Sequence, residues 1–448
     1  MTDIIKTDYF NENSLKQLIS DILLEAKKQG ATSAEVDVAV NKGFSVSVRL
    51  GEVETVLYNQ DKIIELTVYF GQACGSVSLS DSRPEAIQSA VRAACNIARF
   101  TDKDECNGLA DKSLLAFNYP ALDIYYPWTI TVPEAIDMAL QCEALSMEKD
   151  KRITNSEGVG ISTIEVWNGY GNSNGFIGVT PCTRHEISSV LIATQDDEMQ
   201  RDYSYTVACE AGMLDSIQTV AEQAVERTVR RLGGRQLSTR QVPVLFAAEE
   251  ARGLIGLFLS GIAGGHIYRK TSYLVDHLGK TIFPKHITLD ERPLLPKKLG
   301  SAAFDDDGVA TRPNVFVRDG VLETYALSVY SAKKLQMTTT GNAGGMHNLY
   351  VSHGDKDFKG MLKTLDKGLL ITEMMGNGVS LISGDYSRGA SGFWVENGEI
   401  QYPVEEITVA GRMQDMFGNL VEVGNDIDTR GNVQTGSILI EQMTVAGN

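Results

Sequence analysis

Four runs of alternating apolar and polar residues lie between two amphipathic helical patterns in the first hundred residues, and that order commits the chain to an α+β fold with an antiparallel sheet. Leu15, Leu18, Ile19, Ile22, Leu23 and Ala26 recur at the 3.6-residue period after Ser14, which reads as the N-cap, and Gly30 closes the helix. Val36-Val38-Val40, Phe44-Val46-Val48-Leu50, residues 63–70 and residues 75–80 follow, each bounded by turn residues, and predict a four-stranded antiparallel sheet. Ser82 and Glu85 spell a capping box with Pro84 in the first turn, and Ile87, Val91, Ala94, Cys95 and Ala98 mark the buried stripe of a second helix. A first α+β domain is expected over residues 1–101.

Residues 102–130 carry Asn-Gly, Tyr-Pro and Tyr-Tyr-Pro-Trp without periodicity and read as a linker packed on the surface. Residues 131–235 return to α+β: Thr131, Pro133 and Glu134 start a helix, residues 161–166, 176–179 and 187–193 alternate as strands, and a helix over 214–232 stops at Gly233-Gly234. Residues 236–448 read as mainly β, with Asp319-Gly320 and Asn397-Gly398 as two-residue hairpin turns. The one clear helix there starts near Ala247, directly after the apolar strand 242–246, and its Leu254, Ile255 and Phe258 side is expected to face inward.

Composition narrows function by exclusion. A formal net charge of −17, with no local run of Lys and Arg, repels a phosphate backbone, so nucleic acid is an unsuitable partner. The first residues alternate charge with apolar side chains where a secretory signal needs a basic start and an unbroken apolar run, which gives a cytoplasmic expectation. The most apolar segment, residues 254–265, falls well short of the ~20 residues of a spanning helix. The six cysteines (Cys74, Cys95, Cys106, Cys142, Cys182, Cys209) lack CxxC spacing and read as reduced thiols; all precede residue 210, so the second half has no thiolate for a metal.

The helix near Ala247 opens with two acids, Glu249 and Glu250, ahead of Ala251, Arg252, Gly253 and Leu254. Taken alone, paired acids there favour the positive end of the helix dipole, worth about 0.3–1 kcal/mol. The segment also resembles the TldD/PmbA metallopeptidase family, whose active member carries HExxxH at the start of such a helix. On that alignment Glu249 stands at the first His, Glu250 at the Glu and Leu254 at the second His, so only the Glu survives. Leucine coordinates nothing, and the cysteine that the resemblance implies near the C-terminus has no counterpart after Cys209. The resemblance continues through residues 304–308 (Phe-Asp-Asp-Asp-Gly), the Gly341–Gly345 loop, residues 383–389, 393–400, 402–404 and 407–411, and residues 423–427.

What the resemblance implies is a metal-less subunit with no catalytic and no metal-ligating residue of its own. It pairs with a TldD-like HExxxH chain that supplies zinc, and acts on unfolded or modified small peptides. Glycines let another backbone approach, so Gly344, Gly345 and Gly384, with Arg388, are candidate contacts for an extended peptide. Two rivals stand beside it. One is a stand-alone metallopeptidase gathering a metal on Glu249, Glu250 and His266, a carboxylate-rich set that suits magnesium or manganese better than zinc. The other is a non-enzymatic adaptor acting as a homodimer. Asp305-Asp306-Asp307-Gly308 fails the EF-hand spacing and reads as a tight acidic turn. The Gly341–Gly345 loop lacks the Lys-Ser/Thr of a phosphate cradle. No Gly-x-Ser-x-Gly elbow supports a serine triad.

Overall fold

A computed structural model describes residues 11–447. Helix α1 (Glu12–Lys28) buries Leu15, Leu18, Ile19, Ile22 and Ala26. Its cap is Asn11, whose side-chain oxygen accepts the Ser14 N–H at 2.8 Å, so Ser14 lies inside the first turn and is not the cap. Strands β1 (Ser33–Arg49) and β2 (Glu52–Phe70) meet at Leu50-Gly51, both at positive φ. The two alternating runs expected as separate strands are therefore one. Gly43 does not turn the chain between them; it passes so close to β4 (Ile153–Asn172) that a Cβ would sit 2.1 Å from the Thr163 carbonyl oxygen.

Strand β3 (Ala73–Leu79) pairs with the second half of β2 and leads to α2 (Pro84–Phe100). The expected Ser82–Glu85 box does not form: Arg83 occupies the cap without a side-chain bond, the Ser82 hydroxyl is taken by Lys62, and Asp81 accepts from the Arg83 backbone and guanidinium. In α3 (Val132–Lys149) the Thr131–Glu134 capping box is complete. Glu143 on that helix, 3 % exposed, accepts the N–H groups of Leu50 and Gly51 at 3.0 and 2.8 Å and so pins the β1–β2 turn. After β4 come β5 (Ile177–Gln195), β6 (Glu198–Ala208) and α4 (Ile217–Val229), which Ser216 caps.

These strands form one antiparallel sheet in the order β3-β2-β1-β4-β5-β6. Helices α1 and α2 cover one half of its face, over Val36, Val38 and Val40; α3 and α4 cover the other half, over Val46 and Val48. Because side chains alternate at a period of two, these valines share a face, and Glu35 and Asp37 point the other way. The segment 102–130 runs along the same sheet, where Thr183 donates its N–H to the Ile124 carbonyl at 3.0 Å.

Beyond residue 239 the elements are shorter: β7 (Arg240–Phe246), α5 (Ala248–Ile262), α6 (Gly264–Tyr268), β8 (Leu289–Glu291), β9 (Asn314–Arg318), β10 (Val321–Leu322), α7 (Val329–Lys334) and β11 (Leu349–Val351). There follow α8 (Phe358–Leu365), β12 (Gly368–Met375), β13 (Asp385–Glu396), β14 (Glu399–Arg412), α9 (Met413–Gly418), β15 (Leu420–Val423), β16 (Val433–Gln434) and β17 (Ile438–Ala446). The single helix expected in this region thus has company, in helices too short to display a 3.6-residue period. Asp319-Gly320 and Asn397-Gly398 make their hairpin turns with both residues at positive φ. Strands run β14-β13-β12-β7-β17-β15, with β14 also pairing β17, so five of them close into a ring. A second sheet runs β10-β9-β8-β11-β16. The fold is α+β, and no helix among the described residues is long and apolar enough to cross a membrane.

Candidate functional site

Strand β7 runs down the ring as Val244-Leu245-Phe246, all fully buried, and the chain turns straight into α5 where the Ala247 N–H donates to the Ile371 carbonyl of β12. Leu254, Ile255 and Phe258 of α5 sit in the main core. At about 100° per residue, Glu249 and Leu254 lie on different sides of the helix, and the two sides meet different surroundings.

Glu249 faces α4 and the loop before β16. Its carboxylate accepts from both Nη atoms of Arg227, one at 3.0 Å, and from Arg430 Nη2 at 2.6 Å. Arg430 also grips Asp428, through Nε at 3.0 Å and Nη2 at 2.8 Å, and Arg252 of α5 reaches the same Asp428 at 2.8 Å. Arg227 and Arg231 share Asp202 of β6, and Arg231 binds Glu373 of β12. Burial pushes the Glu249 carboxyl up, but the hydrogen bonds and charge of Arg227, then of Arg430, outweigh it and hold the group below its ordinary range. Asp428 is lowered by the same balance, burial against Arg430.

Glu250, on the next position, lies toward Arg388, Glu373 and Tyr386. Burial first and the Glu249 charge second push its carboxyl up to about 7. Leu254 is 3 % exposed and packed among apolar side chains. His266, in α6 beyond the far end of α5, bonds the Thr271 hydroxyl through Nδ1 at 3.0 Å. Zinc therefore does not fit here: one ligand position is held by two guanidinium groups, the second is aliphatic, and among the described residues no group of three or more His, Cys, Asp or Glu is arranged to hold a metal.

The four candidate peptide contacts stand at two places. Gly384 (φ 82°) lies against Gln414, and Arg388 donates from Nε to the Gly376 carbonyl at 2.9 Å while its charge bears on Glu250. Gly344 (φ 84°) and Gly345 (φ 135°) lie elsewhere, Gly344 so close to Asp306 that a Cβ would sit 2.1 Å from its carboxylate oxygen.

Asp306, itself exposed, adjoins an acidic junction between the large sheet and the C-terminal region. Asp305, 2 % exposed, accepts the N–H groups of Asp307, Val309 and Ala343 at 2.9–3.0 Å, and burial with the Asp307 charge pushes it up to about 7. Across from it on β1, Asp37 is pushed up to about 8 by burial and by Glu35, Asp306 and Glu65. Glu35, also raised by burial, accepts from Tyr69 at 2.5 Å and Tyr170 at 2.9 Å.

The arginines Arg227, Arg230, Arg231 and Arg430 escaped the sequence reading, which took residues 214–232 by their apolar stripe. The signal was present: arginines at 227, 230 and 231 share the end of one helix in an otherwise acidic chain.

Comparison with known proteins agrees with this architecture. The PmbA/TldA metallopeptidase domain 1, central domain and C-terminal domain match residues 34–98, 125–232 and 239–447. Metalloprotease PmbA of Escherichia coli O157:H7 is 47 % identical over 424 residues, 95 % of this chain and 94 % of its own. A crystal structure from Bacteroides thetaiotaomicron superposes with a TM-score of 0.91 at 26 % identity, covering 98 % of this chain and 100 % of that one. TldE from Thermococcus kodakarensis shares the fold, with a TM-score of 0.80 at 19 % identity over 96 % of this chain and 100 % of its own. A TldD homologue from Haemophilus influenzae matches more narrowly, 24 % identical over 207 residues, 43 % of this chain and 42 % of its own. The chain belongs to the PmbA/TldD metallopeptidase family.

Proposed function

We propose that this chain is the metal-free subunit of a two-chain peptidase, in which a TldD-type HExxxH partner supplies the zinc and this chain supplies binding surface for small unfolded or modified peptides. The observation that carries the reading is the occupation of the Glu249 carboxylate by Arg227 and Arg430 beside a core-buried Leu254. Gly344, Gly345, Gly384 and Arg388 are proposed as contacts for an extended peptide backbone. Purified alone and dialysed, the chain should carry no stoichiometric zinc and cleave no peptide; mixed with an HExxxH family member it should form a heterodimer with one zinc, and cleavage should need both chains. Chelator-sensitive cleavage by this chain alone, restored by zinc, would overturn the proposal.

One observation favours a second reading. Glu250, held near pH 7, has the proton affinity of a general base, and a stand-alone hydrolase using it would cleave peptides without any partner. The same reconstitution decides between the two.

A further inference from the structure

Beside Glu249 lies a pocket of about 410 Å³, within the ~300–1,000 Å³ usual for small-ligand sites. Helix α4 contributes Gln223 and Arg227, and Arg230 follows at its C-cap; the start of α5, the loop 426–430, Thr372, Tyr205 and Asp215 form the rest of the wall. Its acids are largely spoken for: Glu249 and Asp428 are each held by two guanidinium groups, and Asp426 accepts the Ser437 N–H and hydroxyl at 3.0 Å. Asp215 is the lining acid outside these pairs.

The arginines divide differently. Arg227, Arg231, Arg252 and Arg430 each reach at least one carboxylate. Arg230, between them in the wall, forms no ion pair among the described residues, and its buried Nε has no acceptor. Its guanidinium lies over the Phe393 ring at 5.1 Å, which orients the plane without satisfying the donors. Burial first and the adjacent Arg227 charge second pull its proton affinity down, against the opposing charges of Asp202, Glu226 and Glu249, none of which reaches it as an ion pair. A buried charged donor left without an acceptor is costly, and a bidentate carboxylate is the partner that the guanidinium fork fits.

We infer that this pocket binds the C-terminal carboxylate of a peptide, with Arg230 as its ligand and with Gln223, Thr372 and Thr429 as neutral hydrogen-bonding neighbours. The inference rests on the peptide-binding reading above and adds to it a free carboxyl end as the recognised feature. Every lining residue belongs to this chain, so the full chain alone should bind.

Titration calorimetry with N-acetyl-tetraalanine, bearing a free carboxylate, and with its C-terminal amide gives the test. The acid should bind the wild-type chain at least tenfold more tightly than the amide. Arg230→Gln should abolish that preference, and Arg230→Lys, which keeps the charge and loses the fork, should restore part of it. Equal binding of acid and amide to the wild-type chain would overturn the inference even if a variant failed to fold, and so would detectable binding of neither. A preference that survives Arg230→Gln would overturn the role of Arg230. If cleavage still required both chains while acid and amide bound alike, the carboxylate site would fall and the two-chain function would stand.

Discussion

The arginine lattice around Glu249 and the acidic junction around Asp37 shift the same kind of group in opposite directions. At the lattice, Arg227 and Arg430 outweigh burial and hold Glu249 below its ordinary range; at the junction, burial first and neighbouring carboxylates second push Asp305 and Asp37 to about 7 and 8. Both lie where the large sheet meets the C-terminal region, and burial raises the carboxyl at each, so the partner decides the sign. A buried carboxylate thus reveals little about a metal site until its counter-charges are known.

The sharpest way to break this comparison is Glu249→Ala. It strands Arg227 and Arg430 with only Asp202 and Asp428 as partners, and should cost about 3 kcal/mol, the lower end for a disrupted buried ion pair. Urea unfolding at pH 7 measures it, and a loss below 0.5 kcal/mol would show the lattice to be energetically idle.

Glu250→Gln tests the group that adjoins the lattice yet titrates like the junction. In a complex reconstituted with an HExxxH partner, cleavage should change by less than tenfold, or ~1.4 kcal/mol of barrier. A thousandfold loss with assembly intact would make this chain the catalyst.

The smallest effect is expected from Asp37→Asn, and its sign depends on pH. Raised carboxyls bind protons in the folded state that the unfolded chain has released, so the junction stabilises the fold fully below about pH 4 and loses that contribution as pH rises through 7–8. Lowered carboxyls at the lattice do the reverse, and their contribution disappears as pH falls below about 4. The substitution should therefore stabilise the protein by about 1 kcal/mol at pH 9, allowing for the water that reaches Asp37, and by nothing at pH 4. Thermal melts at the two pH values suffice, and equal shifts at both would mean that Asp37 does not titrate with folding.

Sequence periodicity exposed the parts of the fold in which apolar side chains do the burying. The stripe of α1, the Thr131–Glu134 box and the Asn397-Gly398 turn all follow from local chemistry, and α5 is placed to within a residue. Strand β6 escaped because its buried face is polar: Gln200, Asp202, Ser204 and Thr206 point inward, while Tyr203 and Tyr205 lie beneath Arg227 and Arg430. The turn at Leu50-Gly51 escaped because Leu50, a poor turn residue, is held there by Glu143 on another element. At the site, Leu254 was legible as a position unable to bind metal. The cluster at 227, 230 and 231 was visible too, but its meeting with Glu249 was not, since Arg227 and Arg430 reach that residue from 22 and 181 positions away.

That distance has a temporal side. Strand β7, which aims α5, pairs on one flank with β12 and on the other with β17, where Val244 lies opposite Ile440, 196 positions later in the chain. A growing polypeptide therefore carries β7 with a bare flank through roughly 200 rounds of elongation, and at ~5–20 residues per second that wait lasts on the order of 10–40 s. The ring closes late, and until it does Val244, Leu245 and Phe246, fully buried in the finished domain, stand in need of a chaperone.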